Sequence, residues 1–211
     1  MGRSAAVSIN QNSYIGPMAT ESSAAGARDE FDAAEHVARL KPGVVLLARD
    51  MSDPNFNSTV VLVCQHGAEG SYGLVLNRPS HMPLSEVFDK PPVWAGDASR
   101  KQRIYIGGPV QPEELQILQV TTEPVPGSYQ VASEVYLGGY WGDLKDIIEL
   151  DPRTIRLFLG YSGWGADQLA REVQAEAWEV WSVDVKRLLL GPEDAWAGGI
   201  GQIKSFLSTL R

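Results

Sequence analysis

The sequence is poor in cysteine, in histidine and in long apolar runs. It has 211 residues with one Cys and three His. One cysteine forms no intrachain disulfide, which excludes disulfide scaffolds, zinc ribbons and iron–sulfur clusters that a single chain ligates through several cysteines. The longest apolar runs, residues 44–48 and 60–64, fall far short of the roughly 20 residues that span a membrane.

Positive charge is also scarce. Lys plus Arg number 18 against 26 Asp plus Glu, which gives a net charge of −8. This balance argues against direct binding of nucleic acid, because nucleic-acid surfaces of proteins are basic. The first residues contain no apolar core of leader-peptide length. We therefore expect a cytoplasmic protein, with no membrane partner and with an oligomeric state that the sequence leaves open.

Loops that cradle phosphate groups are missing as well. The sequence contains no Gly-Lys dipeptide, so the P-loop pattern is absent. Gly199-Ile200-Gly201 lacks the third glycine of a dinucleotide fingerprint and falls within a helical apolar pattern. No metal-ligating set emerges around the histidines. These observations predict that the protein uses neither a cofactor nor a metal.

The chain divides into a polar head and a dense body. The head is rich in Ala, Ser, Gly and Asn, whereas every Trp lies beyond residue 40. A segment of this composition buries too little apolar surface to offset its ordering entropy. We expect a mobile N-terminal extension over residues 1–39, with a short helix near residues 29–40, and one domain over residues 40–211.

Apolar patterns in the body predict more strands than helices. Residues 44–48 and 60–64 are apolar at consecutive positions, which is typical of strands covered on both faces. A glycine-containing loop over residues 67–70 predicts a hairpin into the next strand. Further strands are expected at residues 104–106, 115–120, 129–132, 155–159 and 178–183, and helices over residues 166–177 and at the C-terminus. Hairpins mixed with helical connections indicate an α+β fold.

The strongest candidate for catalysis is the stretch Gly160-Tyr161-Ser162-Gly163-Trp164. It follows a predicted strand and precedes a predicted helix, as the nucleophile elbow of a hydrolase does. The elbow pattern requires glycine at its last position, where this chain has Trp164. All three histidines precede Ser162, whereas the base follows the nucleophile in that fold. The structural alternative is a loop that orients Trp164.

Several motifs together resemble a known family. They are Leu46-Leu47-Ala48, Met51-Ser52-Asp53-Pro54-Asn55-Phe56, Tyr72-Gly73-Leu74-Val75-Leu76-Asn77-Arg78-Pro79, Gly107-Gly108-Pro109-Val110, and Gly160-Tyr161-Ser162-Gly163-Trp164-Gly165-Ala166-Asp167-Gln168. In this order and spacing they resemble the YqgE/AlgH family of bacterial proteins from about residue 40 onward. The resemblance implies a single α+β domain whose mixed sheet is bent into a pseudo-barrel with flanking helices. No catalytic residue is agreed upon for the family, and one branch has been proposed to regulate transcription of exopolysaccharide genes.

The sequence departs from the family pattern at positions that bear on function. Ser162 often corresponds to Ala in relatives, which weakens its interpretation as a nucleophile. Relatives commonly carry a histidine near Gln119, so a family site that used that imidazole would fail in this chain. No catalytic residue is therefore assigned.

Polar residues at predicted turns form a candidate binding site. The set is Asp53, Asn77, Arg78, Ser162, Trp164 and Gln168. Each has a structural alternative: Asp53 can cap a turn, Asn77 can close a strand and Trp164 can fill the core. Two hypotheses follow. The first is a non-enzymatic regulator that acts through a protein or a small molecule. The second is a small-molecule-binding protein or hydrolase-like enzyme that uses the loop over residues 160–168.

Overall fold

The computed structural model describes residues 31–49, 53–82, 104–140, 154–192, 195 and 199–211. In chain order the elements in these ranges are α1 (Ala33–Ala38), β1 (Val45–Ala48), β2 (Val60–Gly67), β3 (Gly70–Val75), β4 (Ile104–Ile106), β5 (Val110–Val120), β6 (Ser128–Ala132), β7 (Val135–Gly138), β8 (Ile155–Trp164), α2 (Gln168–Gln174), β9 (Trp178–Trp181), α3 (Val185–Leu190) and α4 (Ile200–Ser208). None of the helices in these ranges is long and apolar enough to cross a membrane.

The strands form one nine-stranded sheet in the order β6-β7-β5-β8-β3-β2-β1-β9, with β4 paired to β8 beside this path. The β4–β8 pair is parallel and the neighbours along the path are antiparallel. Each strand predicted from the sequence is present, and β7 was not anticipated. The α+β class with a mixed sheet is therefore confirmed.

The sheet does not close into the expected pseudo-barrel, and this part of the prediction is wrong. Its two terminal strands, β6 and β9, do not pair with each other. The outer edge of β9 is occupied by α1, because Nδ1 of His36 accepts the backbone N–H of Val180 at 2.9 Å. Near β6, the N–H of Gly43 donates to the carbonyl of Val63 on β2 and not to β6. The N–H of Val180 on the outer edge of β9 is thus bonded to a helix and not to another strand.

Both faces of the central strands are buried, as their continuous apolar runs predict. On β2, Leu62 and Cys64 face a core that also contains the apolar side chains of α3 and α4. Val61 and Val63 point to the opposite core, which holds Leu169 and the other apolar residues of α2. Because neighbouring residues of a strand point to opposite faces, a strand between two helical layers needs apolar residues at every position.

Strand β8 runs through the stretch that resembles a nucleophile elbow. It extends to Trp164 and does not end at Gly160. Ser71, Tyr72 and Gly73 of β3 pair with residues 162–164 of β8. The geometry at Ser162 is therefore that of a central strand, and no sharp turn presents its hydroxyl.

Residues 31–211 form one compact unit. The helix expected within residues 29–40 is α1, whose N-terminus is capped by Asp32 through the N–H of Glu35. Residues 1–30 lie outside the described residues. The division into an extension over residues 1–39 and a domain over residues 40–211 stays a prediction.

Candidate functional site

Asn77 and Arg78 hold the turn that precedes β2. Asn77 accepts the N–H of Val60 at 2.9 Å and donates to the carbonyl of Ser58 at 2.9 Å. Nη2 of Arg78 donates to the carbonyls of Pro54 and Asn57 at 2.8 and 3.2 Å. Within the turn, a carboxylate oxygen of Asp53 accepts the N–H of Asn55 at 2.8 Å. All three predicted site residues are thus engaged in shaping one loop.

Glu172 of α2 organises a second set of predicted residues. Its Oε2 accepts the indole N–H of Trp164 at 2.9 Å and that of Trp178 at 2.8 Å. Its Oε1 accepts the side-chain amide of Gln168 at 2.9 Å. Gln168 in turn accepts the N–H of Gly165 at 3.0 Å. A carboxylate that satisfies two buried indole donors removes the cost of leaving them unpaired.

The two sets meet through Phe56. Its ring lies 6.1 Å from Trp164 and 5.6 Å from Trp178, and the two indoles lie 6.0 Å apart in an edge-on arrangement. We call Phe56, Trp164, Trp178 and Glu172 the aromatic cluster. Trp164 is 5% exposed and Trp178 is fully buried. The structure therefore brings most of the predicted site together through internal hydrogen bonds and ring contacts, with Trp164 buried and with Asp53 and Gln168 exposed.

Ser162 stands apart from the aromatic cluster. It is fully buried, and its hydroxyl donates to the carbonyl of Gly107 at 3.2 Å. A nucleophilic hydroxyl needs a base within hydrogen-bond reach and access for the substrate. The partner of Ser162 is a backbone carbonyl, which cannot act as that base.

Cys64 and two of the three histidines, His36 and His66, are also engaged within the fold. Burial raises the pKa of the Cys64 thiol, so the thiolate is disfavoured. His66 shares a 2.8 Å hydrogen bond with Ser71 across the β2–β3 hairpin. The pKa of His36 is lowered, chiefly by burial and next by the charge of Arg39. Within the described ranges, no group of three or more His, Cys, Asp or Glu is placed to hold a metal.

Gln119 lies inside the molecule and not at an open site. It is fully buried on β5, and its Nε2 donates to the carbonyl of Gly138 at 2.8 Å. Its Oε1 has no hydrogen-bond partner among the described residues. Gln119 thus forms an internal contact between β5 and β7.

A cleft opens where the two ends of the sheet approach each other without pairing. It has a volume of about 540 Å³ and is lined by residues 41–44 ahead of β1, residues 132–134 at the β6–β7 turn, and residues 182–186 at the start of α3. We call it the seam cleft. One end is closed where Gly43, with φ of +83°, packs against Val131 and Ala132.

The seam cleft carries four charged side chains. Lys186 forms a salt bridge with Glu134 across it. Asp184 caps α3 by accepting the N–H of Arg187 at 3.0 Å. The ammonium of Lys41 forms no ion pair or hydrogen bond with any described residue, although the lysine lines the cleft. Unlike the aromatic cluster, this region keeps polar groups available to a ligand.

No residue of the seam cleft was among the candidate site residues predicted from the sequence. The three lining segments lie far apart in the chain, and each is an ordinary turn or connection by composition. Glu134 adopts a left-handed φ of +56°, which non-glycine residues seldom do. The Ala-Ser-Glu run before Val135 lacks the glycine that would have marked this turn. Only the curvature of the sheet brings the segments together.

These features define a class of protein: an α+β domain with an open mixed sheet between two helical layers and a polar cleft at the seam. The family profile described as AlgH-like matches residues 44–204 of this chain. The chain therefore belongs to the AlgH-like family, which confirms the resemblance seen in the sequence. The family is one of uncharacterised proteins.

Individual relatives agree with this placement. A UPF0301 protein of Chlorobium limicola is 34% identical over 154 residues, covering 71% of this chain and 76% of the relative. One from Mycobacterium tuberculosis is 34% identical over 176 residues, covering 78% and 85%. The solution structure of the AlgH protein from Pseudomonas aeruginosa superimposes with a TM-score of 0.61 at 29% identity, covering 81% of this chain and 94% of that one.

Proposed function

We propose that this protein is a non-enzymatic binding protein and that the seam cleft is its binding site. The observation that carries the proposal is the contrast in hydrogen bonding. The hydroxyl of Ser162 is buried and bonded to a backbone carbonyl, whereas the ammonium of Lys41, in an open cleft of about 540 Å³, forms no ion pair or hydrogen bond with a described residue. Small-molecule sites are typically clefts of about 300–1,000 Å³ with a few convergent polar groups.

The hydrolase-like alternative receives no support from the geometry. The hydroxyl of Ser162 forms no hydrogen bond with a basic side chain among the described residues, and Ser162 lies within a paired strand. Asn77, Arg78 and Trp164 form internal hydrogen bonds, so a ligand there would have to displace them.

We further propose that any regulatory role is indirect and takes place in the cytoplasm. A net charge of −8 disfavours direct contact with DNA, since the phosphate backbone attracts basic surfaces. A ligand taken up at the seam would bridge the two ends of the sheet, and a protein partner could respond to that change.

A thermal-shift screen tests the proposed function. Pools of nucleotides, sugars, acyl compounds and amino acids are added to the full chain, because a ligand that binds only the native state raises its stability. Two matched variants locate the site. Ser133→Trp places a large side chain at the rim of the seam cleft, whereas Ser205→Trp places it on the exposed side of α4.

At least one pool is expected to raise the unfolding midpoint of the parent chain and of Ser205→Trp, and to have no effect on Ser133→Trp. The proposal fails if every pool is silent. It also fails if the active pool stabilises Ser133→Trp as much as the parent, since the ligand would then bind elsewhere.

A further inference from the structure

The charged side chains that line the seam cleft sum to a net charge of zero. Two ammonium groups, on Lys41 and Lys186, face two carboxylates, on Glu134 and Asp184. A ligand with a net charge of either sign would meet as much repulsion as attraction from this set. A ligand that carries one group of each sign can satisfy both, which is how charge arrangement supplies specificity.

The four groups are not equally available. Lys186 and Glu134 already neutralise each other in a salt bridge across the cleft. Asp184 uses one carboxylate oxygen, Oδ1, for the N-cap of α3 and keeps the other. Lys41 forms no side-chain ion pair or hydrogen bond within the described part of the chain and is exposed. One cation and one half-used anion therefore remain for a ligand.

The hydroxyls of Ser133 and Ser182 add neutral donors and acceptors to the same lining, and neither serine forms a side-chain hydrogen bond with another described residue. Their positions lie on opposite walls, at the β6–β7 turn and after β9. Hydroxyls adapt as donor or acceptor because the proton rotates freely. The walls can thus complete the hydrogen bonds of a carboxylate and of an ammonium group.

From this arrangement we infer that the seam cleft takes a small zwitterion with one carboxylate and one primary ammonium group, of the amino acid or short peptide class. The carboxylate binds Lys41 and the ammonium group binds Asp184, while the Lys186–Glu134 bridge stays intact beneath them. This inference rests on the proposed function, because it names the ligand class of the same cleft.

Two substitutions each remove one charge from the cleft and keep the local structure. Asn caps helices as well as Asp does, so Asp184→Asn removes the anion and keeps the N-cap of α3. Lys41→Met removes the cation and keeps most of the apolar stem. Arg171→Met, on the exposed side of α2 and on the other face of the sheet, is the matched control for loss of a cation.

The probes are pools of free amino acids and of dipeptides, followed by titration calorimetry with the best binder. That binder is compared with its N-acetyl and its C-amide forms, each of which keeps only one charge. Binding is expected to weaken about tenfold or more for each blocked form and for each cleft variant, because each change removes a charge-assisted hydrogen bond. Arg171→Met should bind like the parent. The relative strength of amino acids and dipeptides decides between the two members of the class.

Different results would overturn the inferred ligand class alone or the ligand class together with the proposed function. The zwitterion is the wrong ligand class if the N-acetyl ligand binds the parent chain as well as the unmodified ligand does. It is also wrong if Asp184→Asn binds the unmodified ligand as well as the parent chain does. In both cases the cleft remains a binding site. The same holds if only sugars, nucleotides or acyl compounds bind. If all pools are silent in calorimetry and in thermal shift, both inferences are overturned together.

Discussion

The aromatic cluster and the seam cleft belong to the same compact unit but differ in whether their polar groups are satisfied within the fold. In the aromatic cluster, the carboxylate of Glu172 accepts from two indoles and one amide, and little of Trp164 or Trp178 reaches solvent. In the seam cleft, Lys41 is left without a partner among the described residues, and half of the Asp184 carboxylate is free.

This difference indicates that the aromatic cluster serves stability, whereas the polar groups of the seam cleft are available for binding. A buried polar group must be satisfied within the fold, since leaving it unpaired is expensive. An exposed polar group at the wall of a cleft pays no such cost before a ligand arrives. Trp164, Trp178 and Ser162 thus belong to the core. Residues of ordinary turns and connections line the cleft.

The largest effect is expected in the aromatic cluster. Trp178→Ala should lower the free energy of unfolding by about 3–5 kcal/mol, because a fully buried indole is lost and the cavity relaxes only in part. Ser182→Ala in the seam cleft should change it by no more than about 0.5 kcal/mol. Urea unfolding measures both. Similar losses in the two variants would remove the distinction between the regions.

A smaller effect is expected at the closed end of the seam. A Cβ at Gly43 would lie 2.9 Å from the carbonyl oxygen of Val131, at a φ of +83°. Gly43→Ala should therefore cost about 1–3 kcal/mol through clash and backbone strain. Gly201→Ala is the control, because a Cβ there meets nothing within 4 Å and lies in α4, where alanine should add up to about 1 kcal/mol. Chemical unfolding measures the sign of the change in unfolding free energy for both variants. If Gly43→Ala were as stable as the parent chain, the contact between residues 43 and 131 would not need to be this close.

The smallest effect is expected at the outer edge of β9, where His36 accepts a backbone hydrogen bond. His36 accepts the N–H of Val180 through an unprotonated nitrogen, and its pKa in the folded state is lowered, by burial first and by Arg39 second. The folded state therefore binds fewer protons at this site. Its contribution to stability is present above the unfolded pKa of about 6.5 and is lost as pH falls through the lower folded value.

Unfolding curves at about pH 8 and about pH 5 measure this contribution, with His36→Gln as the comparison, because a glutamine oxygen can accept a hydrogen bond without titrating. The parent chain should lose more stability than His36→Gln on acidification. Equal losses would mean that the β9 edge is held by packing alone, including the stacked ring of Phe31 at 4.4 Å.

Much of the fold could be predicted from local patterns. The continuous apolar runs in β1 and β2 indicate burial on both faces, and both cores are present. The end of β8 was missed because Gly160 and Gly163 resemble a turn, whereas glycine is used there for close approach: a Cβ at Gly160 would lie 2.6 Å from the carbonyl oxygen of Gly108. β7 was missed because the turn before it, Ala132-Ser133-Glu134, contains no glycine or proline to mark it.

The site was harder to predict than the fold. Asp53, Asn77 and Arg78 do converge on one loop, as their polar character at turns suggested. Their hydrogen bonds are internal, however, and sequence cannot distinguish a polar residue that closes a loop from one that receives a ligand. Lys41, Glu134 and Asp184 come from three connections that no local pattern links.

The sequence alone determined the α+β class, the central strands, the family and the acidic charge, because each depends on composition, periodicity or ordered motifs. The tertiary structure decided that the sheet stays open, that Ser162 lies within a paired strand, and that a polar cleft forms at the seam. These follow from sheet curvature and from which edge groups find partners, and both depend on contacts between residues distant in the chain.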